Sequence, residues 1–155
     1  MGEYKNGEEY LHSSKVLESL NKGYVMLPRA IYDGPIGHAS PCAREMYNFF
    51  LSQANHQTIN TGGTTFHRGE LFTSYKEIIE ALHWRVGYRK VSYSKDQCEA
   101  AMKTLVKTQM ITTRKTTRGL VITVCNYDHW QTASNYENHT EDHKKTTMYL
   151  YYKQE

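Results

Sequence analysis

The stretch ITTRKTTRGLVITVCNYDHWQ, residues 111 to 131, limits the architecture of this chain more than any other. Two runs rich in Ile, Thr and Val flank a polar segment that closes on Arg118-Gly119. β-Branched residues favour a pleated, half-buried surface, and Gly supplies the permissive backbone of a turn. The pattern predicts a hairpin, Met110 to Thr113 against Leu120 to Tyr127, with Gly119 in its turn. A lone two-stranded ribbon is marginal in water, so this one must lean on helices from elsewhere in the chain.

Three helical segments precede it. In SPCAREMYNFFLSQANH, Ser40 is placed to cap, Pro41 takes the first helical position, and Met46, Phe49, Phe50 and Ala54 recur at helical spacing. In TSYKEIIEALHW, Ser74 and Glu77 have the spacing of a capping box, and Tyr75, Ile78, Ile79 and Leu82 share one face. SKDQCEAAMKTLVKTQ repeats that box with Ser94 and Gln97 over an apolar stripe of Cys98, Ala101, Met102 and Leu105. Glu70, Leu71 and Phe72 form a short β-prone run before the second helix. The order helix, strand, helix, basic connector, helix, strand, turn, strand predicts an α+β fold, mainly α: a winged helix-turn-helix with a C-terminal β-hairpin wing.

At 155 residues and 18.1 kDa the chain is long enough for one core. That core is expected over residues 24–131. Residues 1–23 read as an N-terminal extension with one short helix pattern, SSKVLESLNKG, closed by Gly23. Residues 132–155 read as a polar tail or linker: TASNYENHTEDHKKT lacks apolar periodicity, and the final MYLYYKQE is β-prone without a visible partner. There is no internal repeat. No apolar run approaches the roughly 20 residues of a membrane span, and MGEYKNGEEY is too polar for a signal peptide, so a cytoplasmic protein without a membrane partner is expected. Cys42, Cys98 and Cys125 are odd in number and widely spaced among apolar neighbours, the pattern of reduced packing residues.

The net charge of +3 is unevenly distributed: residues 66 to 118 hold eleven Lys and Arg against five Asp and Glu. A concentrated basic stretch is the footprint of a polyanion partner, with a merely solvated basic surface as the alternative. In a helix-turn-helix the second helix enters the DNA major groove. That assigns base and phosphate contact to Lys95, Gln97, Lys103, Thr104 and Lys107 of the helix after Ser94. Arg114, Lys115 and Arg118, among four threonines at the hairpin turn, are placed to grip phosphates of double-stranded DNA. In the connector HWRVGYRKVSYS, Arg85, Arg89 and Lys90 alternate with Trp84, Tyr88 and Tyr93, a mixture suited to phosphate contact and stacking. The alternative is that Trp84 and Tyr88 pack under the wing and leave the cations exposed.

Enzymatic chemistry has no foothold in the spacing. No nucleophile, base and orienting group can be assembled, no GxxxxGK[ST] phosphate loop is present, and Gly62-Gly63 is only a turn signal. Thirteen tyrosines without a paired-histidine metal motif do not make a nicking enzyme. Cys125-x3-His129 and His139-x3-His143 have the spacing of zinc ligands, but Cys125 lies in an apolar strand and the histidines in a polar tail. A buried thiol, solvated histidines and no cofactor are expected.

Several of these segments together resemble a known family. ANH at Ala54–His56, RGEL at Arg68–Leu71, Thr73-Ser74, the helix after Ser94, Met110-Ile111 and TTRGLVITVCNYDHWQ are similar to the N-terminal winged-helix domain of phage replisome organisers and related DnaD-type primosomal proteins. MLPRAI and ARE followed by aromatic residues fit as well, so the resemblance runs over residues 24 to 131. It implies a protein of phage or mobile-element DNA replication that binds origin DNA, often as a homo-oligomer, and helps recruit the replicative helicase or its loader. Long members carry a second helical domain that is not expected here, which leaves helicase recruitment open. A transcriptional repressor on the same fold and a winged-helix interaction or oligomerisation module without DNA binding remain as alternatives.

Overall fold

Local capping explains where each long helix begins. In the computed structural model, which describes residues 23–137, the Ser40 hydroxyl accepts a hydrogen bond from the Ala43 N–H at 3.2 Å and Pro41 opens helix α1 (Pro41–Gln53). Ser74 likewise accepts from Glu77 N–H to start helix α2 (Tyr75–Ala81). Helix α3 (Lys95–Lys107) has the full reciprocal box, Gln97 N–H to Ser94 Oγ and Ser94 N–H to Gln97 Oε1. The box at α2 is only half made, because the Glu77 carboxylate accepts the Thr73 hydroxyl at 3.2 Å instead of turning back to Ser74. A 3-10 turn, Arg29–Asp33, precedes α1 and buries Ile31.

Among the described residues, seven strands form three antiparallel sheets. Two are small hairpins: β1 (Ile59–Thr61) with β2 (Thr64–Phe66), and β4 (Trp84–Val86) with β5 (Arg89–Val91). The third holds β3 (Glu70–Thr73), β6 (Ile111–Lys115) and β7 (Leu120–Val124) in the order β3, β7, β6. Strand β7 is central and the most buried, since its two neighbours cover both edges. Two short helices follow, α4 (Tyr127–Trp130) and α5 (Ser134–Glu137). The chain is thus an α+β fold. No helix among the described residues is long and apolar enough to cross a membrane.

One core joins helices to sheet. Met46, Tyr47, Phe50 and Leu51 of α1 meet Cys98, Ala101, Met102 and Leu105 of α3, Ile78 of α2, and Ile111, Leu120, Ile122 and Val124 of the sheet. Burying a side chain of this size is worth about 1.5–3 kcal/mol. The two thiols of this interface are inert packing groups: burial pushes the Cys42 thiol up to about 12, and also raises that of Cys98.

The structure corrects several sequence expectations. Residues 83–94 are not a plain connector, since they contain the β4–β5 hairpin. The Gly62-Gly63 pair closes a hairpin of its own, both glycines having positive φ as a type I′ turn requires. Strand β7 stops at Val124, because Asn126 turns left-handed at φ 58 and α4 begins at the next residue. Gly119 is required for space and not for an unusual φ: a Cβ there would lie 2.6 Å from the Thr73 carbonyl oxygen on β3. Within residues 132–137 the chain forms α5 (Ser134–Glu137) instead of a plain linker, held as Asn135 Nδ2 donates to the His129 carbonyl at 2.8 Å and Tyr136 Oη to that of Trp130 at 2.7 Å. The helix pattern before Gly23 and the MYLYYKQE stretch lie outside the described residues.

The ANH, RGEL and NYDHWQ segments come together at the end of β7 remote from its turn. Asn55 donates its side-chain and backbone N–H groups to the Glu70 carbonyl at 2.8 and 2.9 Å and accepts from Gly69 N–H. Arg68 lies 2.7 Å from the Asp128 carboxylate and 5.7 Å from the centre of the Tyr127 ring. Its Nε makes no aligned hydrogen bond, so the contact with Asp128 is one of charge more than direction. Gly69 has φ +85, and a Cβ there would meet the Tyr127 Cβ at 2.9 Å. These residues tie the loop after α1, strand β3 and helix α4 together.

Candidate nucleic-acid interface

The buried stripe of α3 fixes which of its polar residues face outward. With Cys98, Ala101, Met102 and Leu105 inside, the 3.6-residue period puts Asp96, Ala100, Lys103 and Lys107 on the opposite face. Gln97 and Thr104 flank that face on one side, and Lys95 lies on the other. Lys103 and Lys107 have no ion-pair partner among the described residues, so their charge is available to a ligand. Thr104 donates its hydroxyl to the Ala100 carbonyl at 3.1 Å, which leaves its oxygen free to accept.

Two expected contact residues of this helix are committed elsewhere. Lys95 sits 3.7 Å from Glu99 and 5.8 Å from the centre of the Tyr75 ring on α2, so it braces the two helices. The Gln97 carbonyl oxygen is held by the cap, which leaves only its amide NH2 to point outward. Asp96 adds a negative charge to the first turn, favourable for the helix dipole but adverse to a phosphate nearby.

The β6–β7 turn carries the second group of cations. Thr116 organises it: its hydroxyl and N–H both donate to the Gly119 carbonyl, at 3.1 and 2.8 Å, and its oxygen accepts from Gly119 N–H. Lys115 and Arg118 project from this braced loop, exposed and without an acidic partner among the described residues. Arg114 separates from them. It pairs with Val121, which pairs with Phe72, and cross-strand neighbours share a face, so Arg114 stands on the side of the sheet turned away from the helices.

The β4–β5 hairpin holds the third group. Lys90 donates to both carboxylate oxygens of Glu80 on α2, at 2.7 and 2.8 Å, and that hydrogen-bonded cation holds the Glu80 carboxyl below its ordinary value. Arg85 donates to the Tyr88 carbonyl at 3.3 Å, and Arg89 has no ion-pair partner among the described residues. Trp84 tilts against Tyr93 with ring centres 5.0 Å apart, while Tyr88 is fully exposed and packs under nothing. The sequence carried the cations but not their partners, since Glu80 and Lys90 are ten residues apart and meet only through the hairpin.

Two further features bear on chemistry. An open groove of about 460 Å³ lies among Phe49, Ile59, Phe66, Leu71 and Phe72, with Asn55 and Glu77 among its polar walls. No group of three or more His, Cys, Asp or Glu suited to a metal ion occurs among the described residues; Cys125 and His129 belong to these, whereas His139 and His143 lie outside them. No protein-family model, curated protein or solved structure matches the chain.

Proposed function

We propose that the chain is a winged helix-turn-helix DNA-binding protein of phage or mobile-element replication. The element order α1, β3, α2, α3, β6, β7 with strand order β3, β7, β6 supports the winged-helix reading. On it, α3 enters the major groove with Lys103, Thr104 and Lys107, the β6–β7 wing sets Lys115 and Arg118 on phosphates, and Arg85 and Arg89 extend the contact beside the helix N-terminus.

The observation that carries the proposal is the concentration of unpaired cations on three elements. Arg85, Arg89, Lys103, Lys107, Arg114, Lys115 and Arg118 lack acidic partners among the described residues, as do Arg29, Arg44 and Lys76 elsewhere, whereas Lys90, Lys95 and Arg68 each have one. Seven of these ten fall in the β4–β5 hairpin, α3 and the β6–β7 hairpin, the elements that the reading sets against DNA. The replication role, origin binding as an oligomer and recruitment of a helicase or its loader rest on the family resemblance. The test is a titration against duplex DNA at several salt concentrations. Binding through phosphates predicts a steep fall, about 0.9 in log K per log salt for each phosphate neutralised. A flat salt dependence, or no binding at low salt, refutes the proposal and favours an interaction module.

A further inference from the structure

The β4–β5 hairpin is built to present an aromatic ring, not to shorten a loop. Gly87 takes φ +60 at the first central position, where a type II′ turn needs it, and Tyr88 occupies the second with 102% relative exposure. Cross-strand pairing puts Trp84, Val86, Arg89 and Val91 on one face, of which Trp84 is 41% and Val86 55% exposed. The other face bears Arg85 and Lys90 and is fastened to α2 through Glu80. A three-residue ribbon is too short to be rigid alone, and this anchor holds it in place. Its base is equally fixed, since only Ser92, Tyr93 and Ser94 separate β5 from the first residue of α3, and Tyr93 supports Trp84.

The charge around this ring selects its occupant. No acidic residue occurs between Glu80 and Asp96, while Arg85 and Arg89 flank the turn. Arg85 is held at the Tyr88 backbone carbonyl, so a guanidinium is fixed at the turn that carries the ring. A polyanion whose flat groups alternate with negative charges matches this arrangement; a protein surface with mixed charge does not. In an intact duplex each base face is covered by its neighbour. Only unpaired or unstacked bases offer a face for an aromatic side chain.

We infer that the β4–β5 hairpin is a second wing that binds unpaired bases, with Tyr88 stacking on a base and Arg85 and Arg89 contacting the adjoining phosphates. The inference rests on the DNA-binding reading above and adds a ligand class to it, DNA locally opened beside the site of α3. Trp84 and Val86 extend the apolar surface behind the ring.

The test compares three labelled ligands by fluorescence anisotropy with the full chain: a duplex, the same duplex with a short central bubble, and the corresponding single strand. The bubble is expected to bind roughly tenfold more tightly than the duplex, the factor one stacked base supplies. Tyr88→Ala should abolish that preference and leave duplex affinity unchanged, and Tyr88→Phe should keep it. Equal losses on duplex and bubble would make Tyr88 a backbone contact and overturn the inference. Duplex binding with no bubble preference in the wild type overturns it while leaving the DNA-binding reading intact. Failure to bind any of the three overturns both.

Discussion

Lys90 on β5 and Glu80 on α2 are joined by two hydrogen bonds, 2.8 and 2.7 Å from Nζ to the two carboxylate oxygens. The pair removes one cation from the basic surface and in exchange fixes the hairpin that carries Arg85, Tyr88 and Arg89. Because the lysine holds the Glu80 carboxyl low, the attachment is present above the ordinary carboxylate range and is lost as pH falls through the lowered value. Both partners are exposed, so folding stability should change little. Glu80→Gln is therefore expected to leave the melting temperature nearly unchanged while steepening the salt dependence of DNA binding by about one phosphate contact, as Lys90 is released. An unaltered slope would show that Lys90 does not reach DNA even when free.

The β6–β7 turn gives a prediction that separates its three cations. Replacing Lys115 and Arg118 together with Ala should weaken binding about equally on all duplex sequences and reduce the salt slope by up to about two phosphates. Arg114→Ala alone should do less, because its side chain shares the far face of the sheet with Val121 and Phe72. Anisotropy titrations on specific and random duplexes decide it. A larger effect from Arg114 would mean that DNA wraps onto that face.

For α3, single substitutions at Lys103 and Lys107 are expected to change sequence preference, at about 1–3 kcal/mol for each base that is no longer read. Ser94→Ala acts on a different quantity. It removes the N-cap of α3 and should lower stability by about 0.5–2 kcal/mol, read from thermal or urea unfolding, with preference unchanged. If Lys103 and Lys107 variants bind every sequence more weakly by the same factor, those lysines touch the DNA backbone.

Much of this was legible because it is local. Ser40, Ser74 and Ser94 announced three helices since a cap and its recipient N–H are close in sequence. The main hairpin followed from β-branched residues around a turn. The small hairpins were illegible, because three-residue strands such as Trp84–Val86 and Arg89–Val91 are too short to show an alternation and depend on turn glycines for their pairing. Gly119 was misread for a related reason: what it accommodates is the Thr73 carbonyl, 46 residues away. In the candidate site the cations were visible, but their pairing with Glu80 or Tyr75 was not, since such pairs exist only after the helices pack.

Gly69 supplies a stability prediction. Ala at this position meets both a left-handed backbone, costing about 1–2 kcal/mol, and a Cβ approach of 2.9 Å to Tyr127. Gly69→Ala should lower unfolding stability by at least that amount, and DNA affinity measured well below the melting temperature should persist. Near-normal stability would mean that the Arg68, Tyr127 and Asp128 cluster can shift without cost.

The cysteines provide a check on the core. Cys125 is half buried, while Cys42 and Cys98 are fully buried, with the Cys42 thiol raised to about 12 by burial. At neutral pH a thiol reagent is expected to modify Cys125 first, slowed because burial raises its thiol as well, and the other two only on unfolding. Three fast thiols would place α1 and α3 further apart than the structure has them.

The buried Gln131 accepts from Met26 N–H through its Oε1 at 2.8 Å and returns its amide to the Met26 carbonyl at 2.9 Å, as a neighbouring strand would. Two segments near the two ends of the described residues are thereby stitched together beside α4, at the end of β7 opposite the Lys115–Arg118 turn. A cargo fused to either side of this stitch starts from the same spot, behind the sheet end and clear of the turn. Residues 26–131 also become a closed loop in all but covalent bonds, so a short peptide joining Met26 to Gln131 is expected to let that stretch be reopened elsewhere with the same architecture.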